Sequence, residues 1–137
     1  MNLCLIDIGG TNIRYSSFYK NKKLSIKKKE IPSSKSFYQI LNEILNEKET
    51  IVTDLVISAA GPKFNHIITM TNQKFVIDAK KIKKKFNLQN CFVLNDLEAA
   101  GYYLDKIKSN NKKIVKKGYK FNNNQILVSP GTGLGPV

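Results

Sequence analysis

A chain of 137 residues with 23 lysines and arginines against 10 acids carries a formal charge of +13. That length suits one domain burying roughly two-thirds of its unfolded surface; with no apolar run near ~20 residues and no secretion leader, neither a membrane span nor export is expected, and the expected location is cytoplasmic. The charge suggests nucleic acid, but Arg14 is the one arginine, whereas base-reading and stacking surfaces favour arginine's planar fork. The excess therefore reads as solvated lysine that draws anions over long range at low salt, without a specific nucleic-acid footprint.

Leu3–Ile8 (LCLIDI) reads as a short strand buried on both faces, with a single acid at Asp7. Gly9 and Gly10 then permit a turn through positive φ. Thr11–Lys20 alternates without helical spacing, which predicts a hairpin. Neither a P-loop nor a dinucleotide fingerprint fits, since each needs its own glycine spacing ahead of a helix. A Gly-Gly-Thr-Asn turn at a strand end can bring N–H groups and a hydroxyl to phosphate oxygens, with Asp7 holding Mg²⁺ directly or through water. The same residues also read as an ordinary Gly-Gly hairpin turn with an acid at its mouth.

Leu24–Ile31 is expected as a third strand ahead of Pro32. Ser36 and Gln39 form a capping box, and Phe37, Ile40, Leu41, Ile44 and Leu45 fall at helical spacing, which predicts a helix from Ser36 to about Asn46. Asp54–Ala60, closed by Gly61-Pro62, is expected as a parallel strand after that crossover. Phe64–Met70 reads as a short extended segment or hairpin carrying the lone histidine, His66, as an exposed turn residue. Thr71–Phe75 has turn character. Asp78 caps a helix in which Ala79, Ile82 and Phe86 share one face and Lys80, Lys81, Lys83, Lys84 and Lys85 occupy the rest. Cys91–Leu94 is a compact buried strand, and Asn95 to about Ile107 a third helix. Cys4 and Cys91 lie in apolar runs without metal-ligand spacing and read as reduced, small hydrophobes. Residues 108–124 form a polar, basic linker, and Gln125–Ser129 is a further strand running into the glycine loop 130–135. The order is βββαβαβα, then a strand and loop. This divides the chain into a unit over 1–107, a linker over 108–124 and the start of a second unit over 125–137.

Asn95-Asp96 stands where ligands bind in open α/β sheets, at the carboxyl end of a buried strand. A carboxylate there can act as general base, a role worth ~10²–10⁴ in rate. Asn95 with Glu98 also forms a helix-capping pair worth ~1 kcal/mol. The two roles are compatible. Gly131–Gly135 again places a threonine among glycines after a strand, and two such loops with a carboxylate between them have the layout of a phosphoryl-transfer cleft. No Ser/His/Asp set, Cys/His pair or paired-acid arrangement stands out.

The stretches LIDIGGTNIR, ISAAGP, MTNQKF, LNDLEAAG and PGTGLG, in this order and spacing, resemble the amino-terminal part of the bacterial ATP-dependent glucokinases, within the hexokinase and actin-like ATPase superfamily. The resemblance spans nearly the whole chain. It implies an α/β fold: the small domain of an actin-like ATPase (ribonuclease H-like) with a mixed sheet, plus the first strand and glycine loop of a truncated second domain. It also implies transfer of the γ-phosphoryl of ATP to the 6-hydroxyl of glucose, with ATP and Mg²⁺ as cofactors. Asp96 falls on the family's catalytic base, Asn95 on the neighbouring sugar-binding residue, and Asn72 beside the sugar cleft. Asp7 and Gly9, Gly10, Thr11 and Asn12 fall on the first phosphate loop, and Gly131, Thr132, Gly133 and Gly135 on the second. Phe75 stands where the family usually has tryptophan, which keeps an aromatic wall. Family members continue for roughly another domain, bearing further sugar ligands and the adenosine pocket. The expectation is therefore a glucokinase fragment that turns over poorly or not at all alone, and the alternative is a non-catalytic sugar- or nucleotide-binding module completed by a partner chain. The expected partners are glucose and ATP, with no membrane, no specific nucleic acid, and either a homo-oligomer or a missing carboxyl-terminal half.

Overall fold

The first strand, β1 (Asn2–Ile8), runs through the middle of a six-stranded sheet. The computed structural model describes residues 2–20, 22–23, 25–47, 51–70, 72–119, 126–130 and 134–136, which belong to two units, Met1–Asp96 and Leu97–Val137. In the first, β1 forms the expected antiparallel hairpin with β2 (Asn12–Tyr19), in register from Asn2 opposite Tyr19 to Ile8 opposite Ile13. The expected third strand is two pieces, β3 (Lys22–Lys23) against Phe18–Tyr19 and β4 (Lys27–Glu30) against Asn12–Tyr15. The ladder along β2 is interrupted between those two pairings.

The capping box at Ser36 is present, with the Ser36 N–H donating to Gln39 Oε1 at 2.8 Å and the Gln39 N–H to Ser36 Oγ at 3.4 Å. It starts α1 (Phe37–Asn46), whose Phe37, Ile40, Leu41 and Ile44 are buried. The chain returns as β5 (Asp54–Ala59), parallel to β1. A second sheet follows, with β6 (Lys63–Phe64), β7 (Ile67–Thr69) and β8 (Val76–Asp78) in that order. Only its first hairpin is expected from sequence, because three residues at Val76–Asp78 are too few to show alternation. Asp78 caps α2 (Ala79–Lys85) as expected, accepting from the Lys80 and Lys81 N–H groups at 2.9 and 3.1 Å. Then β9 (Asn90–Asn95) pairs parallel to β5 at the sheet edge, which gives the order β3-β2-β1-β5-β9.

The core lies on one face of this sheet. Cys4, Ile6 and Ile8 of β1, Leu55, Ile57 and Ala59 of β5 and Val93 of β9 pack with the apolar faces of α1 and α2 and with Ile68 and Ile77 of the second sheet. Each fully buried aliphatic side chain contributes ~1.5–3 kcal/mol. Leu3, Leu5 and Asp7, on the other face, are only half-buried. The expectation that β1 is buried on both faces is therefore corrected: a period of two along the strand divides its residues between a covered and a less covered face. The α2 lysines are exposed, as the helical spacing predicts.

One charged cluster clamps α1 to the sheet. Glu47, capping its carboxyl end, accepts from the Tyr15 hydroxyl at 2.6 Å, pairs with Lys29, and lies 3.5 Å from Lys27. The Lys29 and Tyr15 hydrogen bonds hold the Glu47 carboxyl down at about 2, against 4.5 ordinarily. A lowered carboxyl stabilises the fold fully above its unfolded value, and that stabilisation disappears as pH falls through the folded value. With 31% of its side chain exposed, solvent screening limits its worth to ~1 kcal/mol. Glu47→Gln is expected to lose about that much at neutral pH, and its stability should fall less steeply than the parent's between about pH 4.5 and 2. Urea unfolding at both ends of that range measures the two effects.

From Asp96, the last residue of the first unit, α3 (Asp96–Gly101) begins as expected but is shorter than predicted, and the second unit goes on with one-turn 3-10 helices at Leu104–Lys106 and Ser109–Asn111. Residues 112–119 hold no regular element. Further on, β10 (Val128–Pro130) pairs antiparallel with β11 (Leu134–Pro136). Among the described residues, no helix is long and apolar enough to cross a membrane.

Candidate active site

Three parallel strands end level with one another. In the β1–β5–β9 register Ile8 lies beside Ala59 and Ala59 beside Asn95, so Gly9-Gly10, Ala60-Gly61 and Asn95-Asp96 all leave the sheet at the same carboxyl edge. Strand spacing puts the first and last of these about 10 Å apart across β5. Open α/β sheets bind ligands at such an edge.

The hairpin tip is closed by the Gly9 N–H, which donates to the Asn12 carbonyl at 2.9 Å. This amide is spent within the turn. The expected positive φ is absent: the one glycine with φ above zero among the described residues is Gly61. Nor do neighbours require glycine at the tip. A Cβ on Gly9 would stand 3.5 Å from the Asn12 carbonyl oxygen, and one on Gly10 would stand 3.7 Å from Asn72 Nδ2, both ordinary contacts. Neither backbone angle nor packing therefore asks for glycine at these two positions.

Asn72, exposed in the turn between β7 and β8, thus stands over Gly10. Its neighbour Gln73 donates from Nε2 to the Gly10 carbonyl. Phe75 is half-buried, its ring 5.8 Å from that of Phe37. At the other end of the edge Asn95 Nδ2 donates to the Gly61 carbonyl at 2.8 Å, and Asp96 opens α3 as an exposed residue. The structure therefore brings Asp7, Gly9–Asn12, Asn72, Asn95 and Asp96 to one edge of one unit. Gly131, Thr132 and Gly133 lie outside the described residues, and Gly135 is paired with Ser129 in β11.

Asp7 faces Arg14 across the hairpin, with Oδ2 and Nη1 3.4 Å apart and both side chains well exposed. A surface pair of this kind is worth ~0–1 kcal/mol and is easily re-partnered. Among the described residues, no group of three His, Cys, Asp or Glu side chains could hold a metal. A single carboxylate suits Mg²⁺ where phosphate and water complete the shell, since that ion usually takes one or two carboxylates. It does not fit a metal held by protein alone. His66 is a half-exposed turn residue whose Nε2 lies 3.8 Å from Asp78 Oδ1. Burial pushes the Cys91 thiol up to about 11, so it stays protonated and weakly nucleophilic at neutral pH.

Arg14, Gln73 and Gly61 are the residues of this edge that sequence reasoning passes over as functional. All three lie in or beside the quoted motifs, but their partners are 7, 63 and 34 residues away, and no spacing rule reaches that far.

The glucokinase family profile matches residues 5–137. The glucokinase of Brucella abortus biovar 1 (strain 9-941) is 28% identical over 143 residues, covering 94% of this chain and 39% of that protein. The glucokinase of Rhizobium johnstonii is 24% identical over 133 residues with the same coverage. Among solved structures, a glucokinase from an Antarctic psychrotroph superposes with a TM-score of 0.73 at 25% identity, over 98% of this chain and 45% of the other. A ROK family glucokinase from Streptomyces griseus in complex with glucose and AMPPNP gives 0.63 at 20% identity, over 99% and 43%, a likeness of fold. The mixed α/β sheet is that of the actin-like ATPase fold, as the resemblance implies. The chain spans about two-fifths of the length of the curated relatives it matches. A family match running from residue 5 to the last residue, over a sheet of the same fold, establishes that this chain belongs to the glucokinase family.

Proposed function

We propose that this chain supplies one wall of a glucokinase cleft, the wall bearing the proton acceptor and the first phosphate turn. The observation that carries the reading is the level ending of β1, β5 and β9, which opens the glycine turn and Asn95-Asp96 at the same edge. In the proposed reaction the Asp96 carboxylate takes the proton of the glucose 6-hydroxyl as that oxygen bonds to the γ-phosphorus of ATP. The bond from that phosphorus to the β,γ-bridging oxygen breaks, and ADP leaves. Asn95 and Asn72 bind sugar hydroxyls, and the Gly10–Asn12 tip receives phosphate oxygens. Gly131, Thr132, Gly133 and Gly135 serve as the second phosphate loop, in a second domain that starts near residue 125 after a linker from 108. Asp7 is the residue to hold Mg²⁺, whose charge offsets that of the phosphates. The glucose and AMPPNP bound by the Streptomyces griseus relative are consistent with these ligands.

Phosphoryl transfer depends on positioning and charge stabilisation from every side of the cleft. Relatives carry more than twice this length, so slow or no turnover is the expectation for these 137 residues alone. The second reading, a sugar- or nucleotide-binding module completed by a partner chain or a second copy, rests on the same observation. A coupled assay with glucose and Mg-ATP, run beside calorimetry with glucose and Mg-AMPPNP, tests both. Turnover supports the kinase, and binding without turnover supports the module. Absence of binding by both ligands rejects the two together.

A further inference from the structure

The peptide that joins Gly10 to Thr11 is held from the outside. Its carbonyl accepts from Gln73 Nε2, the next carbonyl, of Thr11, accepts from the Ile31 N–H at 2.9 Å, and that of Asn12 accepts from the Gly9 N–H at 2.9 Å. Three successive carbonyls of the tip are thereby tied to the protein. In a trans peptide the N–H points opposite to the C=O, so tying the Gly10 carbonyl toward Gln73 turns the Thr11 N–H the other way. Gln73 itself is braced. The Met70 N–H donates to the Phe75 carbonyl at 2.8 Å, closing the turn that carries it, and Phe75 packs on Phe37. Lys74 beside it takes a φ of 51°, a conformation that a side-chain-bearing residue keeps only where its surroundings impose it.

We propose that Gln73 is a positioning residue for the phosphate turn: its carboxamide holds the Gly10 carbonyl toward the 72–73 turn so that the Thr11 N–H, on the opposite side, is presented to the terminal phosphates of a nucleoside triphosphate. The inference rests on the reading of Gly10–Asn12 as a phosphate turn. An unanchored Gly10–Thr11 peptide can flip and present its oxygen to an anion, and Gln73 prevents that flip.

The test compares the full chain with Gln73→Met, which keeps the length and removes the donor, and with Gln73→Glu, which adds a charge facing the carbonyl. Calorimetry measures Mg-AMPPNP and glucose affinity, amide NMR follows Thr11, and melting reports stability. Both variants are expected to bind AMPPNP about 3–10-fold more weakly, the effect of one hydrogen bond, with Glu the weaker. Their Thr11 resonance shifts, glucose affinity is unchanged and the melting midpoint falls by no more than about 5 °C, the cost of one hydrogen bond. Equal AMPPNP affinity in parent and variants overturns the positioning role and leaves the proposed function standing. So does a parallel loss of glucose affinity and stability, which marks a merely structural residue. A parent that binds no AMPPNP and shows no shift at Thr11 overturns the phosphate-turn reading, and this inference with it.

Discussion

Asp96→Asn is expected to lower by about 10²–10⁴-fold whatever glucose-dependent ATP turnover the 137-residue parent supports, while nucleotide affinity stays within about twofold. Asparagine has the shape of aspartate and can still accept a hydrogen bond, but its carboxamide cannot take the proton that the sugar hydroxyl must lose. The fold should tolerate the change. Asp96 is exposed at the first position of α3, where an acid contributes ~0.3–1 kcal/mol through the helix dipole. The measurement is a coupled assay of parent and variant side by side, with a melt of each. Turnover that the parent shows and the variant loses assigns the proton-accepting role to this carboxylate. Equal rates at equal stability would reject that role and leave the edge a binding surface.

The second large effect is expected at Gly61, between β5 and β6. A Cβ there would stand 2.4 Å from the Thr69 carbonyl oxygen and 3.1 Å from its carbon, both backbone atoms without a rotamer in which to retreat. The Pro62 carbonyl also accepts from the Thr69 N–H at 3.2 Å, so the two segments cannot separate without losing a bond. Overpacking of this kind costs ~3 kcal/mol, and Gly61→Ala is expected to lower the melting midpoint by about 10 °C. Because the Gly61 carbonyl also holds the Asn95 side chain, glucose affinity should fall as well, in a variant still folded at low temperature. Denaturant unfolding and calorimetry separate the two. A stability change below about 0.5 kcal/mol would show that the second sheet moves as a body to make room.

The central architecture is legible because its signals are local. LCLIDI, DLVISAA and CFVL are apolar runs that form β1, β5 and β9, and the Ser36–Gln39 and Asp78 caps start their helices where side chains three residues apart say they do. What could not be read is set by partners far along the chain or by elements too short to have a period. β3 is a two-residue strand defined only by its pairing with β2, and β8 a three-residue strand defined only by its pairing with β7. At the site, motif chemistry singles out Asp7, the glycine turn, Asn72, Asn95 and Asp96. It cannot show that the Gly9 amide closes the hairpin, or that Gln73 and Arg14 stand beside the turn and its acid.

The order of side chains by itself determined the family, the strand–helix alternation and the residue types able to accept a proton or approach a phosphate, because periodicity, capping and motif spacing are properties of neighbours along the chain. Tertiary structure alone decided that β1, β5 and β9 end level and that the 72–73 turn lies over Gly10. Those juxtapositions arise from sheet register and from contacts between residues up to 63 positions apart, which follow from packing the whole core and from no local rule.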